Sequence, residues 1–315
     1  MKRFVSLFMM LIFAVGIFSA CKKENISTSD TDKIDVICTV APVFDWVLEV
    51  VGDLSQNFEV TLLSNGTDIH GFQPSARDIA DIQNCDILIT VGGASDIWID
   101  NNIEGLDKVS KVRLFDLLPK DELLTSSGDH HHTEHEVDEY DEHIWLSLKY
   151  AQMQVNGICD ALCEADPQNG IIYKKNAADY CDKLRELDKN YMKVAENSRD
   201  KTVIFADRFP FAYMMRDYNL TCYSAFSSCS TDTDASFEVV IDLAKKVEDC
   251  NKDTLIVLEN SDRAVAQAIS DAAVGKDREF VVMDSCQSVS SKDVAEFDYA
   301  ETMIKNLDTL EAALK

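Results

Sequence analysis

Histidine is distributed very unevenly along this chain. Five of its six histidines fall between His130 and His143, in a tract that is otherwise rich in Asp and Glu, and the sixth, His70, follows a predicted strand. Imidazole is a common ligand for zinc and neighbouring transition metals, and carboxylates complete such sites. The pattern therefore favours a protein that handles a divalent cation, against the alternative that the tract is only a solvated acidic loop.

Carboxylates follow three predicted strands in the second half of the chain. These are Asp207, Glu259 and Asp284, while His70 and His143 follow strands of the first half. Ligands of open α/β sheets bind outside the carboxyl ends of the strands. Taken singly, an Asp after a strand is often a helix cap or a turn residue. Taken together, the residues predict mixed nitrogen and oxygen ligands for one cation.

Strand-like and helix-like segments alternate in both halves, which predicts parallel βαβ units. Between the halves, apolar residues recur at spacings of four and three from Tyr173 to Val194, which indicates one continuous helix. About 27 residues at 1.5 Å each give a length of about 40 Å, enough to join two lobes; an ordinary packed helix is the alternative. The predicted fold class is α/β, with two parallel-sheet lobes, one long joining helix and a metal cleft between the lobes.

The N-terminus has the pattern of a secretory signal peptide. A basic start precedes a nearly unbroken apolar run that ends in Phe18-Ser19-Ala20-Cys21. Small residues before a Cys resemble a bacterial lipobox, with Phe18 in place of the usual Leu. This predicts cleavage before Cys21 and lipid attachment there, and hence an extracytoplasmic lipoprotein anchored to the cell membrane. Ordinary secretion with cleavage near Ala20 is the alternative.

The predicted divisions of the chain follow from these patterns. They are a signal peptide at 1–20, a tether at 21–33, an N-terminal lobe at 34–170 with an acidic His-rich loop at 129–142, a linking helix at 171–199 and a C-terminal lobe at 200–315.

Composition limits the partners. The net charge of −26 argues against nucleic acid and anionic membrane surfaces and favours cations. We expect a monomer. Besides Cys21, nine cysteines remain and none forms a CxxC pair, which indicates buried small apolar residues rather than a disulfide framework. A single disulfide, such as Cys250 with Cys286, stays open.

Two longer motifs carry a resemblance to a known family. Residues 66–78, GTDIHGFQPSARD, are similar to the signature G-x-D-P-H-x-(Y/F)-x-P-(T/S)-x-x-D, with Ile69 in place of Pro. Residues 141–147, DEHIWLS, are similar to D-P-H-x-W-L-(S/D), and residues 281–284, VVMD, resemble a final liganding strand end. In this combination the chain resembles the solute-binding lipoproteins of bacterial zinc and manganese ABC importers, the cluster A-I or TroA-like group.

The resemblance implies that His70, His143 and Asp284 are metal ligands. The family's remaining ligand lies in a His-x-x-Phe-x-Tyr pattern, and that register places Arg208 at the ligand position. Arginine has no lone pair to give a metal. Three explanations stay open: Asp207 is the ligand instead, which we favour; the protein supplies three ligands and water the fourth; or Arg208 stabilises an anion or a carboxylate in a diverged site.

The function implied by the resemblance is capture and delivery rather than catalysis. A lipid-anchored receptor would bind a cation, zinc before manganese, and pass it to an ABC permease driven by a cytoplasmic ATPase. The loop would hold further zinc weakly, through His130, His131, His132 and His135. The alternatives from other classes are a metal-dependent adhesin and a zinc hydrolase, although no HExxH motif is present.

Overall fold

The structure is a computed structural model that describes residues 33–125 except 65, 67 and 68, residues 140–226, and residues 235–315 except 276 and 291. The predicted signal peptide, Cys21 and all but the last residue of the tether lie outside these ranges, and so do the four loop histidines. Within them, no helix has both the length and the apolar character needed to span a bilayer.

The first half of the described chain folds into a four-stranded parallel sheet with the order β2-β1-β3-β4. Val36 lies opposite Val60 of β2 on one side and opposite Ile87 of β3 on the other. All four residues of β3 are buried, as expected of parallel strands that are covered on both faces. The elements are β1 (Ile34–Cys38), α1 (Ala41–Val51), β2 (Phe58–Leu62), α2 (Ala76–Asn84), β3 (Ile87–Thr90), α3 (Ile97–Asn102), β4 (Ser110–Arg113) and α4 (Leu148–Ala165).

The second half forms another four-stranded parallel sheet, with the equivalent order β6-β5-β7-β8. In each sheet the strand that comes first in the chain, β1 or β5, lies between the next two strands, so the strand order reverses beside it. Open α/β sheets bind ligands at such a switch point. The predicted two-lobed α/β fold is confirmed. The elements are α5 (Gly170–Asn197), β5 (Thr202–Phe205), α6 (Ala212–Asp217), β6 (Thr221–Ser224), α7 (Phe237–Asp249), β7 (Thr254–Leu258), α8 (Ala264–Ala272), β8 (Glu279–Met283) and α9 (Tyr299–Ala313).

The long helix α5 has 28 residues and so spans about 42 Å. The predicted apolar stripe is buried from Tyr173 through Leu184 to Tyr191. It packs against α1 and α4 of the first lobe and against α9 of the second. One continuous apolar core includes residues of both sheets and of α5. The helix is therefore both the connection between the lobes and a packed part of their shared core.

From its local patterns the sequence predicts helix caps at Ser75, Ser236 and Ser261 and a last helix from about Lys292 to Leu314. These signals succeed at some helix starts and fail at others. Ser75 caps α2 and forms a reciprocal capping box with Asp78, and Ser236 caps α7, as predicted. Ser261 does not cap α8, because Arg263, with φ of 65°, is the residue before that helix. The last helix begins at Tyr299 rather than near residue 292. A short turn (Val294–Glu296) comes first, and Asp298 then caps the helix.

The cysteines that the structure describes are free thiols, among them Cys250 and Cys286. The disulfide that the sequence left open is therefore not formed in this structure. Cys38, Cys85, Cys159, Cys181 and Cys286 are buried, in agreement with their interpretation as small apolar core residues.

Candidate metal centre

The two predicted imidazole ligands lie side by side. His70, in a short turn (Ile69–Gly71) after β2, has its Nε2 atom 3.3 Å from Nε2 of His143. Two imidazoles bound to one zinc ion at 2.0–2.1 Å with a tetrahedral angle have their nitrogens about 3.3–3.4 Å apart. The pair therefore has the separation that two ligands of one tetrahedral zinc ion require.

His143 is fixed by a carboxylate. Its Nδ1 atom lies 2.7 Å from Oδ1 of Asp141, and its backbone N–H donates to the same oxygen at 2.9 Å. Burial lowers the pKa of His143, but the charge and hydrogen bond of Asp141, the charge of Glu142 and a hydrogen bond with Gln287 raise it above the ordinary value. A proton held on Nδ1 leaves the Nε2 lone pair directed at the second imidazole, which is the tautomer that a metal ligand needs.

The segment that carries His143 is anchored to the second lobe. The Tyr213 hydroxyl donates to the carbonyl oxygen of Asp141 at 2.9 Å, and the indole N–H of Trp145 donates to the carbonyl of Ser285 at 2.9 Å. Ser147 then caps α4. These contacts fix the DEHIWLS segment against the second lobe, where His143 is fully buried.

His70 is fixed by a different set of contacts. Its Nδ1 atom lies 3.0 Å from Oγ of Ser95. The Ser95 backbone N–H donates to Oε1 of Glu142 at 2.9 Å. Burial raises the pKa of Glu142, and hydrogen bonds from the Ser95 side chain and backbone partly offset that rise. Each imidazole thus has a polar group that holds its Nδ1 atom.

The carboxylates of the second lobe line two neighbouring cavities. Asp207, Arg208 and Glu259 line a cavity of about 260 Å³ at the switch point between β5 and β7. Glu259 and Asp284 also line a cavity of about 380 Å³ beside α9. Burial raises the pKa of both Glu259 and Asp284, and the charge of Asp284 raises that of Glu259 further. Two desolvated carboxylates near each other favour a cation or a shared proton.

These carboxylates are engaged by protein groups. Asp207 accepts from the backbone N–H of Arg208 at 2.8 Å and from that of Leu258 at 3.4 Å. Asp284 accepts from the backbone N–H of Cys286 at 2.7 Å. Glu259 accepts from both the backbone N–H and the hydroxyl of Ser285, at 3.0 and 2.7 Å.

The structure brings only part of the predicted ligand set together. Within the described ranges, no three His, Cys, Asp or Glu side chains are close enough to share a metal ion. His70 and His143 are paired, whereas Asp284 and Asp207 are not grouped with them. The ligand roles of Asp284 and Asp207, and the role of Arg208, stay predictions.

Three residues at the centre have only weak signals in the sequence. Asp141 belongs to the DEHIWLS motif, and a carboxylate two residues before a liganding His is a signal for ring orientation. Ser95 follows β3, so its position at a strand end was the available signal. Nothing in the sequence predicted that Glu142, at the end of an acidic tract, is buried. The loop predicted at 129–142 therefore ends with two buried residues.

Comparison with known proteins places the chain in a family. The family model for the zinc-uptake complex component A, periplasmic (ZnuA), matches residues 36–313. The zinc-binding lipoprotein AdcA of Streptococcus pneumoniae is 31% identical over 287 residues, covering 88% of this chain and 55% of that protein. The chain thus spans about half the length of that relative. The high-affinity zinc uptake system protein ZnuA of Bacillus subtilis is 26% identical, covering 91% of this chain and 89% of that protein.

Solved structures agree with the observed fold. The Zn(II)-bound ZnuA-like domain of Streptococcus pneumoniae AdcA superimposes with a TM-score of 0.71 at 27% identity, covering 89% of this chain and 98% of that domain. The zinc-binding protein TroA of Treponema pallidum gives a TM-score of 0.74 at 18% identity, which supports the fold alone. Because the family model matches most of the described chain, and the paired imidazoles lie in the two motifs first noticed in the sequence, this chain belongs to the ZnuA family.

Proposed function

We propose that this chain is the zinc-binding receptor of an ABC importer, which captures Zn²⁺ outside the cytoplasm and delivers it to a membrane permease. The observation that carries the proposal is the 3.3 Å separation of the His70 and His143 Nε2 atoms. With a proton on each Nδ1 atom, two lone pairs face each other, and a cation between them removes that repulsion. Members of the family are components of metal uptake, and we propose that this chain likewise catalyses no reaction.

The chemistry of the site favours zinc. Imidazole nitrogen suits zinc better than manganese, which prefers carboxylate and water. Neutral imidazoles do not compensate the 2+ charge, so nearby carboxylates must do so. Asp141 is buried beside the histidine pair, and Asp284 and Asp207 in the second lobe are the proposed remaining ligands, with Asp207 in place of the residue at the Arg208 position.

The remaining parts of the proposal concern location and partners. A lipid on Cys21 would anchor the protein to the outer face of the cell membrane, and a tether up to residue 33 would separate the anchor from a lobe at 34–170. A helix at 171–199 would then join a second lobe at 200–315. A monomer loaded with zinc would dock on the permease, and the cytoplasmic ATPase would drive transport. The similarity to AdcA, which is named a zinc-binding lipoprotein, supports the proposed lipid anchor.

The decisive experiment measures zinc binding by the mature protein and by His70→Ala, His143→Ala and the double variant. Competition with a chelator of known affinity reports the tight site, and thermal unfolding with and without zinc reports its coupling to the fold. We expect each single variant to lose more than about 100-fold in affinity, because even partners outside the ligand set contribute 10–100-fold. Manganese, measured in parallel, should bind more weakly.

A matched control is the exposed acid Glu104, whose replacement by Ala should change neither measurement. If the double histidine variant bound one zinc ion with unchanged affinity, the site assignment and the proposed function would both be wrong. Zinc-dependent growth of cells that carry the chain with and without its permease then tests delivery.

A further inference from the structure

We propose that Glu142 is a positioning residue for the His70 ligand and that it acts through Ser95. The proposal rests on the proposed function, because it assigns the group that tunes the same zinc site. Glu142 follows Asp141 and precedes His143, so one segment would hold both imidazoles: Asp141 fixes the ring of His143, and Glu142 fixes the ring of His70.

The first step is that His70 needs external support. It lies in a turn of three residues and is partly exposed, whereas His143 is fully buried. A ring on a short turn rotates unless a contact holds it, and a misplaced ligand loses affinity. The Ser95 hydroxyl oxygen holds Nδ1 of His70 at 3.0 Å. When that oxygen accepts the Nδ1 proton, Nε2 keeps the lone pair that binds zinc.

The second step is that Glu142 orients Ser95. The Ser95 backbone N–H donates to Oε1 of Glu142 at 2.9 Å, and this bond fixes the residue whose hydroxyl meets the His70 ring. A hydroxyl has one proton and two lone pairs. With its backbone held by the Glu142 carboxylate, Ser95 can direct a hydroxyl lone pair at the Nδ1 proton of His70.

The third step is that the structure makes room for this carboxylate at a cost. A Cβ atom at Gly93 would lie 2.4 Å from Cγ of Glu142, so a glycine there permits the close approach. Glu142 is 1% exposed, and within the described residues its Oε2 atom has no hydrogen-bond partner. A buried carboxylate with an unsatisfied oxygen destabilises a fold, so stability alone does not explain this residue. The family signature has Pro at this position, which offers no such acceptor.

A role as a direct ligand fits the geometry less well. Glu142 is not grouped with the two imidazoles as a third ligand anywhere in the described chain. Its contact to the site passes through Ser95 instead. We therefore assign it a role in positioning rather than in coordination.

The test combines zinc affinity with a signal from the His70 ring. Mature protein is prepared as the parent, Glu142→Ala, Glu142→Gln, Ser95→Ala and the Glu142→Ala, Ser95→Ala double variant, with Glu104→Ala as the control. Glu142→Ala is also made in the His70→Ala background. Chelator competition gives zinc affinity, and NMR of 15N-labelled histidine in the zinc-loaded protein follows the Nδ1 protons of the two ligand rings.

We expect Glu142→Ala and Ser95→Ala each to weaken zinc binding about 10–100-fold, and the double variant to lose no more than the larger single effect. Glu142→Gln should lose less, since its amide oxygen still accepts from Ser95. In the His70→Ala background Glu142→Ala should have no further effect. The Nδ1 proton signal of His70 should shift or broaden in both single variants, while that of His143 stays unchanged.

Three results would overturn the inference. Glu142→Ala could weaken zinc equally with and without His70, which would make Glu142 a ligand or a general charge. The two single variants Glu142→Gln and Ser95→Ala could both fold and yet leave zinc affinity and the His70 signal unchanged. Additive losses in the double variant would exclude action through Ser95. In each case a large loss of zinc affinity in His70→Ala would leave the proposed function standing. Unchanged zinc affinity in that variant would refute the proposed function itself.

Discussion

The two halves of the candidate site differ in how far they are assembled. In the first lobe, the Nε2 atoms of His70 and His143 already stand 3.3 Å apart, and each Nδ1 atom is held by a polar side chain. In the second lobe, Asp207, Glu259 and Asp284 accept hydrogen bonds from backbone amides beside them. The imidazoles are positioned for a shared cation, while the carboxylates are occupied by their own lobe.

The difference is one of chemistry as well as geometry. A neutral imidazole pair carries no net charge to desolvate, so the electrostatic cost of holding it together is limited to the repulsion between the two facing lone pairs. Carboxylates held close together repel each other and are costly to bury, and burial raises the pKa of Glu259 and Asp284. The comparison suggests that zinc binds first to the imidazole pair and that a carboxylate joins when the cation's charge is present.

The largest effect on zinc affinity is expected from a comparison of one ligand in each half of the site. We expect His143→Ala to weaken zinc binding by more than about 100-fold, because it removes a ligand and also removes the imidazole that pairs with the buried Asp141. Asp284→Asn should lose less, about 10–100-fold, since the imidazole pair remains. Chelator competition on both variants, with thermal unfolding of the zinc-free proteins, measures the difference. A greater loss in Asp284→Asn would mean that the second lobe is the primary binding half.

The next effect concerns the ligand position that the family register gives to Arg208. Asp207→Asn should weaken zinc binding about tenfold or more if Asp207 replaces the family ligand. Arg208→His should tighten binding, because it restores a lone-pair donor. Isothermal titration of both variants gives the two directions. If Asp207→Asn were silent and Arg208→His harmful, Arg208 would have a structural or anion-binding role and Asp207 would not be a ligand.

The architecture is predictable from the sequence, and the two histidines that the sequence selects lie side by side in the structure. Parallel strands buried on both faces give apolar runs such as β3 and β7, and the stripe of α5 has an unambiguous helical spacing. The histidines were found because their positions after strands and their motifs coincide.

The parts of the site that the sequence does not predict depend on contacts between residues far apart in the chain. Ser95 and Glu142 are 47 positions apart, and no local pattern predicts that a carboxylate in an acidic tract turns inward. The sequence predicts the start of α9 too early, because its helical pattern continues upstream of the residue that caps the helix, Asp298. Helix caps on single residues are weaker signals than periodicity, and Ser261 shows the same weakness before α8.

A smaller effect on the tight site is expected from the His-rich loop. Replacing His130, His131, His132 and His135 with Ala should lower the total number of zinc ions bound and leave the affinity of the tight site nearly unchanged. The reason is that loop ligands must be ordered on binding, which costs conformational entropy. Substitution is preferable to deletion, because Asp141 and Glu142 at the end of the loop are buried parts of the site. Native mass spectrometry counts the bound zinc, and loss of the tight site would make the loop a primary ligand source.

The smallest effect on zinc, but a clear one on stability, is expected where the lobes meet away from the imidazole pair. Asp45 of α1 accepts from the hydroxyl of Tyr180 on α5 at 3.2 Å and from the backbone N–H of Tyr299 on α9 at 3.3 Å. Burial raises the pKa of Asp45 to about 7, and the charges of Glu49 and Asp298 raise it as well. Its ordinary value is 3.8, so the folded protein binds a proton that the unfolded chain releases between these two values.

The sign of the resulting pH dependence follows from that proton. Stability from this group is fully present below about pH 4 and is lost as the pH rises to about 7, in total by up to about 4 kcal/mol. Asp45→Asn removes the titrating group, so the difference in unfolding free energy between parent and variant should change across this window and level off above it. Urea unfolding of the zinc-free proteins from pH 4 to pH 8 measures it, and zinc affinity at pH 7.5 should stay within about threefold, well below the 10–100-fold losses of the ligand partners. A parallel pH dependence in both proteins would show that folding does not raise the pKa of Asp45. A large loss of zinc affinity would show that this junction, and not only the two halves of the site, sets how the lobes hold the cation.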